Sequence, residues 1–218
     1  MSVPKSVAII DYGSGNLRSA EKAFERADAD AGLGLGVSIT RNPEDLKNAS
    51  HIVLPGVGAF VDCLSGIKAL PGMLDALQEN VVGAGKPFLG ICVGMQLMAD
   101  VGREHETTDG FGWIPGEVRA LEPNDKTLKI PHMGWNELQI SGPPHPVFDG
   151  IAEGGHVYFV HSYGFRPKNP GHVLATVDYG GETMAAIGRD NMVGVQFHPE
   201  KSQAVGLKLI ANFLRWKP

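Results

Sequence analysis

The chain has 218 residues, 43% hydrophobic and 20% charged, with a mean hydropathy near zero; this suits a single domain with a sizeable core and excludes disordered and membrane-embedded classes. A formal net charge of −5, with no basic run or basic-aromatic stripe, argues against a nucleic-acid partner. The opening MSVPKSVAIIDYG breaks its apolar run at Asp11, too soon for a signal peptide or a span, and the two cysteines, Cys63 and Cys92, show neither metal nor disulfide spacing. A cytoplasmic, reducing location without membrane contact is the expectation.

In chain order, SVAII (6–10) is a short β-branched strand, DYGSGN turns, and LRSAEKAFERA places Leu17, Ala20, Phe24 and Ala27 on one helical face. DADAGLGLG (28–36) reads as a flexible surface loop. VSIT is a strand, PEDLKNA a short helix and HIVLP a strand. AFVDCLSGIKAL and GMLDALQENVV are helical, PFLGI is a strand, and VGMQLMADV is a helix. Alternating strands and helices predict an α/β fold with a mixed, largely parallel central sheet flanked by helices. After Trp113 the texture becomes strand-rich: GEVRAL, TLKIPHMGWNELQI, HVYFVHSYGF, HVLATVDY, ETMAAIG and MVGVQF follow in turn. A last helix, SQAVGLKLIANFLRW, starts at Ser202 as the expected N-cap and buries Val205, Leu209, Ile210, Phe213 and Leu214. No repeat or linker divides residues 1–218, so a single domain is expected.

The stretch GICVGMQ places Cys92 between Gly90 and Gly94 at a strand-to-helix junction. That is the form of a nucleophile elbow, in which the residues two positions away must be small for the backbone to turn sharply and a substrate to approach. Unpaired N–H groups at a helix start favour negative charge on the sulfur, and the Val93 N–H points where an oxyanion would form. Taken alone, the pattern fits a buried structural cysteine in a glycine turn equally well. Cys63, in FVDCLSGI with helical apolar spacing and no glycine turn, reads as core.

A nucleophilic cysteine needs a base, and the base an orienting group. GVQFHPEKS supplies both: His198 ends a strand, Glu200 follows at i+2 on the same side of an extended backbone, and Pro199 keeps the stretch from becoming helical. His51, His105, His132, His145, His156, His161 and His172 lack that combination and read as surface or packing residues. None has metal-ligand spacing, so neither metal nor cofactor is expected. The loop Pro55-Gly56-Val57-Gly58 after HIVL can aim a backbone N–H at the site, though it also fits an ordinary glycine turn. GSGNLR, after the first strand, has Arg18 where a dinucleotide fingerprint needs its third glycine, which speaks against nucleotide binding.

Taken together, GICVGMQ, PGVGAF and HPE, in that combination, resemble the class I glutamine amidotransferases along the whole chain. DYGSGNLRS (11–19), KIPHMGWNEL (129–138) and VYFVHSY (157–163) resemble, more narrowly, the glutaminase subunits of imidazole glycerol phosphate synthases. The resemblance implies Cys92 as nucleophile, His198 as proton carrier and Glu200 as its orienter. It further implies Val57 and Val93 N–H groups as the oxyanion hole, Gly58 and Gln96 as glutamine-binding residues, and Trp135 and Asn136 near a partner interface. Implied too is a (β/α)8-barrel cyclase as heterodimer partner, using the ammonia to make imidazole glycerol phosphate and aminoimidazole carboxamide ribotide on the route to histidine. One glutaminase domain leaves no room for an acceptor site, and free ammonia would protonate and diffuse away, so a docked second subunit is expected on physical grounds as well. Competing readings are the glutaminase of another ammonia-using synthase, such as that of pyridoxal phosphate synthesis, an inactive binding subunit and a cysteine peptidase.

Overall fold

The computed structural model describes residues 6–218; Met1–Lys5, the start of the stretch too short for a signal peptide, lie outside the described residues. β1 (Ser6–Ile10), α1 (Leu17–Ala31), β2 (Gly36–Thr40), α2 (Pro43–Asn48), β3 (His51–Gly56), α3 (Phe60–Lys68), α4 (Met73–Leu77), β4 (Phe88–Cys92) and α5 (Val93–Gln96) build the first half. The second half consists of β5 (Val101–Glu104), β6 (Glu106–Asp109), β7 (Gly116–Ala120), β8 (His132–Glu137), β9 (His156–His161), β10 (Tyr163–Pro167), β11 (Val173–Asp178), β12 (Glu182–Arg189), β13 (Met192–Val195) and α6 (Gln203–Arg215).

The expected mixed sheet is present, with seven strands in the order β11-β12-β13-β4-β3-β1-β2. β2, β1, β3, β4 and β13 run parallel, and β12 and β11 add an antiparallel edge. β3 and β4 are buried along their whole lengths, as strands covered on both faces must be. A four-stranded sheet, β10-β7-β5-β6, and the β8-β9 ribbon make up most of the strand-rich part. One apolar cluster runs from Val7 to Trp216 through both halves. No helix among the described residues is long and apolar enough to cross a membrane.

Several elements differ from the sequence reading. Residues 28–31 are not loop but the last turn of α1, which ends at Gly32 in the left-handed conformation. The buried Asp28 accepts from the Leu35 N–H at 3.0 Å and pins the short connection to β2. The second half of GMLDALQENVV winds wider, as a π-turn over Gln78–Gly83. The helix after Cys92 stops at Gln96, because residues from Val101 are taken into a hairpin, β5–β6, that turns at His105 with φ 52°. Of TLKIPHMGWNELQI only His132–Glu137 is a regular strand. Pro199 starts a 3-10 turn over Pro199–Lys201, a first-turn position that its fixed φ suits. Ser202 does not cap α6 with its side chain: its hydroxyl donates to the His198 carbonyl at 2.6 Å and accepts from the Tyr158 N–H at 3.0 Å. On α6, Leu209, Ile210, Phe213 and Leu214 are buried, with Val205 half-buried against them.

Candidate active site

Three neighbouring strands, β3, β4 and β13, end at one edge of the sheet and deliver the site. Cys92 ends β4 with φ 54° and ψ −111°, a strained left-handed position for a residue with a side chain. The flanking glycines are required by distance. A Cβ on Gly94 would lie 1.8 Å from the Leu54 carbonyl oxygen, and one on Gly90 2.6 Å from the Gly94 carbonyl oxygen. A Cβ on Gly56, at the end of β3, would meet the Gly94 nitrogen at 2.7 Å. The elbow thus closes directly onto the start of the Gly56-Val57-Gly58 loop.

That loop is held from below. The Tyr12 hydroxyl donates to the Pro55 carbonyl at 2.7 Å, and burial, with Cys63 adding to it, pushes its phenol up, so it remains a donor. Ser14 Oγ donates to the Val57 carbonyl and accepts from the Val57 N–H at 3.4 Å. Cys63 is fully buried, as expected of a core residue; burial raises its thiol, and Sγ donates to the same carbonyl at 3.5 Å. Val57 itself is 46% exposed.

His198 follows β13 and is almost sealed, its side chain and that of Glu200 each 3% exposed. Nδ1 donates to Glu200 Oε1 at 2.8 Å, which leaves Nε2 for the cysteine side. Nε2 has no partner with hydrogen-bond geometry, yet the Cys92 sulfur is near enough to affect its charge. Burial, the largest single influence, opposes protonation; Cys92 and Glu200 together outweigh it and raise His198 from 6.5 to about 9. At neutral pH the ring is an imidazolium, able to give a proton to a leaving group. Because the folded value lies above the unfolded one, its contribution to stability is full below about 6.5 and is lost as pH rises through about 9. The alkaline limb of kcat/KM should therefore fall near pH 9, as His198 loses its proton. Glu200→Gln should move that limb to lower pH; a pH–rate series in which it does not move removes Glu200 from this role.

Gln96 lies one turn past Cys92 and is buried, its Nε2 donating to the Tyr163 carbonyl at 2.9 Å and to Gln196 Oε1 at 3.1 Å. Gln196, two residues before His198 and fully buried, was not singled out from sequence; its Nε2 donates to Cys92 Sγ at 3.6 Å. The GVQFHPE string could have flagged it, since i−2 on an extended strand faces the same way as His198.

A cavity of about 590 Å3 opens over these groups and is lined by Ser14, Val57, Gly58, Cys92, Val93, Gln96, His161, Tyr163, His198 and Lys201. That volume suits a small-molecule substrate. Cys92, Val93, Val57, Gly58, Gln96 and His198 therefore share one chamber, with Glu200 behind His198. Trp135 and Asn136 lie apart from it on β8. Trp135 is 46% exposed, while Asn136 is half-buried and its amide donates to the Asp178 carbonyl at 2.8 Å.

The profile of the family Glutamine amidotransferase class-I matches residues 8–216. The imidazole glycerol phosphate synthase subunit HisH of Brucella suis biovar 1 is 57% identical over 215 residues, covering 97% of this chain and 99% of that protein. HisH of Rhodospirillum rubrum is 58% identical over 212 residues with the same coverage. Among solved structures, a glutamine amidotransferase superposes with a TM-score of 0.71 at 20% identity over 96% of this chain and 97% of its own. A glutamine amidotransferase from Thermotoga maritima gives 0.62 at 17% identity over 90% of this chain and 76% of its own. These two show the fold; the profile and the close relatives show descent. The chain belongs to the class I glutamine amidotransferases and, within them, to the HisH family.

Proposed function

We propose that this protein is the glutaminase subunit of an imidazole glycerol phosphate synthase, hydrolysing glutamine to glutamate and passing the ammonia to a (β/α)8-barrel cyclase in the cytoplasm. The observation that carries the chemistry is the meeting of Cys92 and His198 in one cavity, with Glu200 behind His198 and its 2.8 Å Nδ1–Oε1 bond fixing the orientation of the ring. The Cys92 sulfur attacks the side-chain carboxamide carbon of glutamine, and the carbonyl oxygen becomes an oxyanion. Val93 N–H and Val57 N–H are the proposed donors to it; Val57 must exchange its Ser14 partner for the substrate, since that N–H is occupied at 3.4 Å. The C–N bond then breaks as His198 gives its proton to the departing ammonia. Water, deprotonated by His198, opens the thioester to glutamate and returns the free sulfur. Gly58 and Gln96 hold the substrate.

Partner docking has its own support. The exposed large hydrophobic residues among those described include Val57 on the cavity wall, Ile130 beside the lining residue Pro131, and Met133 and Trp135 on β8. An exposed apolar stretch that starts at the cavity wall and continues along β8 is a surface fit for a partner. We place the cyclase there, with Trp135 facing it, and Asn136 bracing the strand from the other side. Glutamate release should be weak for the isolated chain and rise at least about tenfold when the cyclase and its phosphoribosyl ligand are added. A full rate without the cyclase, indifferent to its addition, overturns the coupling; stimulation only by a different synthase favours another ammonia-using pathway.

A further inference from the structure

His132 on β8 and His161 on β9 stand directly opposite each other in the ribbon, both buried. The His132 ring is stacked on Phe159 at 4.7 Å and on Tyr179 at 3.9 Å between centroids. His161 Nδ1 contacts the Tyr163 carbonyl at 2.9 Å, and a carbonyl can only accept, so Nδ1 carries the proton. Burial lowers both imidazoles to about 4, so each holds a single proton at neutral pH. His161 Nε2 must then accept from His132 Nδ1 at 3.1 Å, and His132 Nε2 from the Asn136 amide at 3.4 Å. On the far side, the Tyr163 carbonyl also takes a bond from Gln96, which bonds Gln196, which donates to the Cys92 sulfur. Each donor and acceptor from Asn136 to Cys92 therefore has an assigned direction.

We propose that His132 and His161 are positioning residues: through the Tyr163 carbonyl they hold the Gln96–Gln196 amide pair that steadies the Cys92 sulfur, tying β8 to the nucleophile. The proposal rests on the glutaminase reading of Cys92 and adds residues that reading does not need. Side chains alternate across β8, with Met133 and Trp135 exposed and His132 and Asn136 turned the other way. Whatever seats on Trp135 therefore presses on the strand whose reverse side begins this run of bonds.

Two variants of the full-length chain separate the hydrogen bond from the packing. His132→Phe keeps an aromatic ring against Phe159 and Tyr179 but removes both ring hydrogen bonds; His132→Asn keeps a donor at the Nδ1 position and gives up the stacking. Alkylation of Cys92 by iodoacetamide, followed on its own peptide so that Cys63 is read separately, needs no glutamine. The phenylalanine variant should slow that alkylation about fivefold and lower kcat for cyclase-stimulated glutamine hydrolysis about tenfold with KM nearly unchanged, the size of one net hydrogen bond. The asparagine variant should stay within about twofold of the parent in both. Phenylalanine behaving like the parent, or both variants failing alike with a lowered melting temperature, overturns the proposal. A parent protein whose Cys92 alkylates readily but which never hydrolyses glutamine overturns the glutaminase reading instead, with the two alkylation rates still deciding the relay.

Discussion

Cys92→Ala is expected to lower glutamine hydrolysis by at least about 10⁴-fold while leaving the fold and partner binding intact. The size follows from the kind of group removed: in nucleophile–base systems, loss of either member costs nearly as much as loss of the whole unit, because no other group can form the covalent intermediate. Cys63 cannot substitute. It is buried beneath the Gly56-Val57-Gly58 loop with its proton directed at the Val57 carbonyl. The variant should still bind its partner subunit if that subunit docks on β8 as proposed, because the exposed residues Met133 and Trp135 do not touch the sulfur. It should also lower the pKa of His198, since Cys92 is among the groups that raise it to about 9. Glutamate release, complex formation by sedimentation and an NMR titration of the imidazole check the three parts. Residual hydrolysis within a hundredfold of the parent would mean that another nucleophile does the work.

Gly94→Ala is expected to cost about 4 kcal/mol or more of stability, the range reserved for severe steric faults. Its Cβ would sit 1.8 Å from the Leu54 carbonyl oxygen, a backbone atom in the middle of the sheet that has no rotamer by which to retreat. For a chain of this length the melting temperature should fall by roughly 8 °C or more. Gly83→Ala is the control, because its Cβ would meet nothing closer than 3.8 Å and its φ is ordinary. Equal melting temperatures for the two variants would show that the elbow has slack and that Gly94 is not needed for close packing.

The parts of this site that could be read from sequence are those whose physics is local. A glycine-bracketed cysteine after an apolar strand states a backbone shape within five residues, and that shape is found; the pairing of His198 with a carboxylate two residues on is found as well, but Glu200 reaches the ring from a 3-10 turn and not from the extended backbone expected. The parallel sheet was legible for the same reason, from short β-branched runs alternating with helical periods. What was hidden depends on residues far apart in the chain. Gln196 touches Cys92 only because β13 pairs with β4 in parallel, so that Val195 lies beside Ile91. His132 and His161 are 29 positions apart and meet through ribbon register. The β5–β6 hairpin overrode a helical pattern after Gln96, because pairing with β7 recruits residues whose own propensity is indifferent. The last turn of α1 was obscured by glycines that begin only at Gly32, just beyond it.

Cys92, the Val57 loop and His198 extend from the ends of three adjacent strands, β4, β3 and β13, in the interior of a seven-stranded sheet. The strand ends from which they extend are spaced by the lateral step of backbone ladders, about 4.8 Å. Changes at the outer strand β2, separated from β4 by β3 and β1, should displace these groups less than changes at β11, whose last residue, Asp178, holds Asn136. The spacing of the reacting groups is thereby built on the buried interior of the sheet.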